Sequence, residues 1–178
     1  MIRWGWLLAA GLALQVAAAL ATRSPLPDWA RAGLIAGSYA ILVVGVSANL
    51  RYVGFRLLLI GLVLNAIVIG ANGWRMPVDP IALERTGYQW PAADSVELGG
   101  DAARSLPDRA VRSLKAPKQA ILAREDTILW PLADVIPVAA AKRVVSPGDC
   151  FVYLGAATTL WEIGRRAFRP RSPATTRA

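Results

Sequence analysis

The sequence predicts an all-α membrane protein with about four transmembrane helices and a long, partly irregular extramembrane segment between the third and the fourth. Three observations carry that prediction. Of the 178 residues, 55% are hydrophobic and 18% charged, with a mean hydropathy of +0.41. A soluble domain carries about 45–50% apolar and about 25% charged residues. The apolar residues are bunched into four runs, Trp4–Ala21, Ala32–Leu50, Leu57–Gly70 and Cys150–Gly164. Between the last two runs, residues 73–147 hold ten basic and nine acidic side chains, a nearly neutral and water-compatible mixture.

Each run can be justified in order. A spanning helix needs about 17–25 mostly apolar residues at about 1.5 Å of rise each. The first two runs reach that length unaided. The third extends back through Phe55 and forward to Ala71. The fourth is interrupted by Glu162 near its end and borrows flanking residues. Arg56 and Arg165 can carry their charged heads to the interface while their stems stay in the apolar layer. The first run loosely fits a cleaved leader, with Arg3 before it and Ala19-Leu20-Ala21 at its end. It exceeds the usual leader core of about 7–15 residues and is read as a retained span.

The predicted organisation is three transmembrane helices over 1–72, an extracytoplasmic segment over 73–147, a fourth transmembrane helix over 148–166 and a basic, disordered cytoplasmic tail over 167–178. Orientation follows from Arg and Lys placement. Arg3, Arg51, Arg56 and the cluster Arg165, Arg166, Arg169, Arg171 and Arg177 all fall on one side of a four-span protein. Long loops cross largely regardless of charge, so residues 73–147 count little. Both termini are therefore expected in the cytoplasm. The net charge of +8 then sits beside the bilayer and reads as an anchor to anionic lipid, with no nucleic-acid partner expected.

Within the external segment, Val78–Arg85 predicts a short helix capped by Asp79, opened by Pro80 and ended near Gly87. Residues 94–118 predict an exposed, irregular stretch with one short helix near Asp108–Leu114. Composition excludes much chemistry. The chain has no histidine and a single cysteine, Cys150. An intrachain disulfide and a thiolate zinc cluster are therefore impossible. No nucleophile elbow or phosphate-binding loop is present, and neither a metal nor a cofactor is expected.

Polar residues inside apolar runs need partners. Gln15 predicts an interhelical hydrogen bond. Gly33 and Gly37 form a small-xxx-small pair that permits close helix approach. Glu162 precedes Arg165 and Arg166 at helical spacing and predicts a surface ion pair. Asn65 and Asn72 lie seven residues apart, on one stripe of the third helix. Two readings of that stripe stand: a polar seam with a helix cap at Asn72-Gly73, or a polar pocket open to the outside. Trp4, Trp6 and Trp161 suit an aromatic belt, and Trp74, Trp90 and Trp130 suit interfacial anchoring or partner contact.

The run from Leu64 to Val78 contains an Asn-bearing apolar helix, then Asn72-Gly73, then Arg75-Met76-Pro77-Val78. With Thr127 and Leu132-Ala133-Asp134-Val135-Ile136-Pro137, and with Ser146-Pro147-Gly148-Asp149, it resembles a bacterial family of small multi-pass membrane proteins of uncharacterised function. The resemblance covers roughly residues 34–164 and implies location in the bacterial inner membrane. It also implies that these three pieces meet at the outer membrane boundary, bringing Asn72, Arg75, Asp134 and Asp149 together. Arg75 is a natural partner for a carboxylate, and Asp149 and Ser146 suit the start of a helix. A structural lock and a ligand or ion pocket are both open for this group. The expected role is an accessory or scaffold component of a membrane complex, with the lipid bilayer and a larger complex or homo-oligomer as partners. The alternative is a small-molecule, lipid or ion-binding membrane protein. An enzyme using the external carboxylates is the least supported reading.

Overall fold

The apolar runs hold no internal proline, and each becomes a helix. The computed structural model describes residues 2–20, 27–87, 119–122 and 124–167. Four long helices dominate: α1 (Gly5–Leu20), α2 (Asp28–Ser47), α3 (Val53–Ala71) and, after the intervening segment, α5 (Pro147–Ala167). Each lies within a few residues of its predicted run. The helices alternate in direction, and α1 packs on α2, α2 on α3 and α3 on α5. The N-terminal end of α1 and the C-terminal end of α5 therefore lie at one end of the bundle. Arg3, Arg51, Arg56 and Arg165 gather at that end, as the charge argument expects.

Among the described residues, two helices, α2 over Trp29–Ser47 and α3, are long and apolar enough to cross a membrane. At 16 residues α1 is shorter, and α5 is more polar. All four carry large apolar side chains on their outer faces, among them Leu12, Val16, Val44, Ile60, Ile67, Tyr153, Leu154 and Leu160. Exposed tryptophans mark both ends, with Trp4, Trp6 and Trp161 at one and Trp29 and Trp74 at the other. At the first end Arg51 lies 4.8 Å from the centre of the Tyr52 ring. There too, Arg165 lies 5.9 Å from that of Trp161.

The all-α expectation needs correction in the intervening segment, which forms small sheets. Strand β1 (Met76–Val78) pairs in parallel with β2 (Gln119–Ile121), Met76 opposite Gln119. Strands β3 (Ile136–Val138) and β4 (Arg143–Val145) form an antiparallel pair. Each strand spans three residues, too short for alternation to show in a sequence. Proline contributes: Pro77 and Pro137 hold the residues before them in extended conformations. The short helix α4 (Pro80–Glu84) matches its prediction. Asp79 Oδ1 accepts from Ile81 N at 2.8 Å, and Gly87 has φ +66° just beyond the end. The predicted helix at Asp108–Leu114, the predicted exposed stretch, Trp90 and the basic tail beyond Ala167 lie outside the described residues.

Two apolar clusters fill the bundle. Leu42, Val46, Tyr52, Phe55 and Leu62 form one toward the Arg-rich end. Ala18, Ile35, Val68, Ile69, Met76 and Ala133 form the other, and Met76 and Ala133 belong to the segment between α3 and α5. The segment is thus seated on the bundle by apolar burial. A third, smaller cluster of Val78, Ala82, Leu83 and Val144 lies within the segment itself.

Candidate functional site

The polar groups converge where α5 begins against the middle of α3. Ser146-Pro147-Gly148-Asp149 builds a reciprocal cap at the start of α5. Asp149 N donates to Ser146 Oγ at 2.9 Å, and Ser146 N donates to Asp149 Oδ2 at 3.2 Å. This is the capping-box arrangement, with proline in the first helical position, where its missing N–H goes unused. The carboxylate also faces the positive end of the helix dipole.

Asn65 completes the cluster from α3. Its Nδ2 donates to Asp149 Oδ1 at 2.8 Å, and its Oδ1 accepts from Ser146 Oγ at 3.0 Å. Ser146 and Asn65 are both buried. Both Asp149 oxygens therefore accept hydrogen bonds. Gly148 is required beside them, because a Cβ there would collide with the Asn65 amide. Tyr39 of α2 lies beside the Asn65 side chain, within electrostatic reach of Asp149 and Asp134. Three helices thus meet around one amide.

Asn72 is placed differently. It caps α3, with Gly73 following at φ +67°, as the Asn-Gly pair predicts. Its side chain donates to the Ile128 carbonyl at 2.9 Å and accepts from Ile128 N at 3.0 Å. This two-way bond ties the segment between α3 and α5 to the end of α3. Asp134 is only 3% exposed. Its backbone bridges to β1, donating to Pro77 O at 3.0 Å and accepting from Asp79 N at 3.0 Å. Arg75 is half-buried in the turn leading into β1. The structure therefore brings Asn65 directly onto Asp149, whereas Asn72 bonds a backbone segment.

Several determinants escape a reading of sequence. Gly54 and Gly61 on α3 face Gly155 and Gly148 on α5. A Cβ at Gly61 would lie 2.5 Å from the Gly148 carbonyl oxygen and 2.8 Å from Val152 N. One at Gly155 would lie 2.6 Å from Leu58 N. The available signal was the seven-residue glycine spacing present in both helices. Gly33 and Gly37, by contrast, do not mediate close approach. Among the described residues, nothing lies within 4 Å of a Cβ at Gly33, and at Gly37 only Leu14 Cδ2 does, at 3.8 Å. Spacing alone does not say which face of a helix meets a neighbour.

Glu162 also departs from expectation. Its two oxygens accept from Val53 N at 3.2 Å and Gly54 N at 3.3 Å, so it caps α3 from across the interface. A carboxylate is stabilised at a helix N-terminus, where N–H groups have no intrahelical partner. The expected partner Arg165 lies against Trp161 instead, and the side chain of Arg166 is outside the described residues. Asn49 is a further latch. It accepts from Arg3 N at 2.7 Å and donates to Arg3 O at 2.7 Å, holding the chain before α1 to the end of α2. Gln15 is half-buried on α1. Among the described residues, no group of three or more His, Cys, Asp or Glu is placed to hold a metal ion.

Residues 1–161 match the model of DUF5317, a family of unknown function. No curated protein matches the chain, and no solved structure does.

Proposed function

The chain belongs to the DUF5317 family, and from that premise we propose that it is a four-span protein of the bacterial inner membrane that serves as an accessory or scaffold component of a membrane complex. The observation that carries this reading is the use made of the polar groups. Asn65, Ser146 and Asp149 bond one another, Asn72 bonds the external segment, and Glu162 caps a neighbouring helix. Such groups inside a bilayer mark a site when they face a cavity or a path. Here their hydrogen bonds hold helices together, while apolar side chains cover the outer faces.

Bilayer integration is supported by α2 and α3 and by the tryptophans at both ends of the bundle. The Arg-rich end is the cytoplasmic one under the positive-inside rule, which puts the segment between α3 and α5 outside. In this reading Arg75 pairs with Asp134 or Asp149 and so helps to staple the external segment onto the bundle. Arg75→Ala is then expected to lower accumulation of the folded protein in membranes, measured by quantitative blotting. Unchanged accumulation would remove the lock.

The function is tested by mild-detergent purification of the tagged protein from its native membrane, with native-gel sizing and mass spectrometry. A stoichiometric complex with other membrane subunits is the expected result. A lone monomer or homo-oligomer under the same conditions would overturn the accessory reading.

A further inference from the structure

One apolar tip of the segment between α3 and α5 stands apart from the polar cluster. Ile128 and Leu129 form a turn with both side chains exposed, and Trp74 is exposed as well. Leu129 has φ 59° and Trp74 has φ 61°. That left-handed region is unfavourable for residues with a bulky side chain. Such conformations persist where the surroundings impose them. Asn72 supplies the constraint, gripping both backbone groups of Ile128, the residue before Leu129. The same asparagine lies two residues before Trp74. The fold thus holds three large apolar side chains outward from the end of one helix.

Depth indicates what they meet. The 19 residues of α3 rise about 28 Å at about 1.5 Å each, close to the roughly 30 Å hydrocarbon thickness of a bilayer. Asn72 caps that helix, so it lies at the boundary, and Ile128 is tied to it directly. The outward stripe of Ile60, Val63 and Ile67 runs up α3 toward the same end. Apolar side chains gain by leaving water, and tryptophan is favoured at headgroup level. The geometry points to the Ile128–Leu129 tip, with Trp74, as an interfacial anchor that dips into the outer leaflet of the bilayer that α3 spans. The occupant of this surface is lipid, and the anchor fixes the height of the external segment over the membrane. This inference rests on the membrane reading above.

The test uses the full chain in phosphatidylcholine vesicles, with Cys150→Ser as background. Leu129→Cys carries an environment-sensitive fluorophore, and Ile128→Cys serves as a second probe should the first variant fail to fold. Ile67→Cys on α3 is the control for spanning. The expected result is blue-shifted emission at position 129, quenched by a shallow spin-labelled lipid and protected from aqueous iodide. Iodide quenching at 129 with lipid quenching at 67 would overturn the anchor and leave the spanning helix standing. Iodide quenching at both positions would overturn the membrane reading and the anchor with it. Protection at 129 from both quenchers would mean that a second protein copy covers the tip, which also overturns the lipid anchor.

Discussion

At the α3–α5 interface glycine meets backbone, whereas at the α1–α2 interface glycine meets leucine side chains. Gly61 faces the Gly148 carbonyl and the Val152 amide nitrogen. Gly11 and Gly45 face Leu42 and Leu8, where an added Cβ would lie 2.6 Å from Leu42 Cγ and 2.9 Å from Leu8 Cδ2. Backbone cannot retreat without moving a helix, but a leucine can change rotamer. The first pair is also locked at both ends, by Glu162 on the N-terminus of α3 and by Asn65 on the start of α5. The second pair has its polar latch near one end, where Asn49 holds Arg3. One interface fixes register, and the other fills volume. Close backbone approach of this kind is how helices gain packing energy in a bilayer, where lipid is as apolar as leucine.

Breaking the tight interface is expected to have the largest effect. Gly61→Val places a branched side chain against fixed backbone, so it should cost at least the roughly 1–3 kcal/mol typical of overpacking. Thermal unfolding in detergent micelles would read this as a large fall in midpoint. A midpoint near that of the parent protein would mean that α3 and α5 are not in backbone contact.

The polar clasp comes next. Asn65→Ala removes partners from Ser146 and Asp149 together, at about 1–3 kcal/mol for buried groups left unsatisfied. A double-mutant cycle with Asp149→Ala should give a coupling of about 0.5–2 kcal/mol, the range of interhelical hydrogen bonds and contacting residues. Additive effects of the two changes would show that the amide and the carboxylate act separately.

Glu162→Gln keeps shape and removes charge. Its expected cost is about 0.3–1 kcal/mol, the worth of a carboxylate near a helix N-terminus. Raised salt should shrink the difference between the two proteins, because surface-accessible electrostatics are screened. A difference independent of salt would instead assign the effect to packing.

The smallest effects sharpen the contrast from the loose side. Gly45→Ala needs the end of Leu8 to shift and Leu7 Cβ, at 3.3 Å, to give slightly, so its cost should sit at the low end of the roughly 1–3 kcal/mol of overpacking. Gly33→Ala meets nothing within 4 Å among the described residues and should be neutral or slightly stabilising through helix propensity. Unfolding midpoints measured beside Gly61→Val would rank the three. A Gly33 variant as damaged as the Gly61 variant would reassign the close-packed face.

Some of this architecture is written locally and is legible without a structure. The four helices follow from uninterrupted apolar runs, because each helix satisfies its own backbone hydrogen bonds wherever it is placed. The caps at Asp79-Pro80, Asn72-Gly73 and Ser146–Asp149 are legible for the same reason, since cap and capped amide lie within a few residues. Only tertiary structure decided the rest. Glu162 has arginines three and four residues away, yet it bonds amides 109 and 108 residues distant. Asn65 finds Asp149 across 84 positions. Glycine spacing does not say which face of a helix packs: Gly33 and Gly37 lie on an open face, whereas Gly54 and Gly61 meet backbone. A sequence determines which groups need a partner, because that need belongs to the residue. Which partner answers depends on how helices turn toward one another, and that is fixed only when the whole bundle packs.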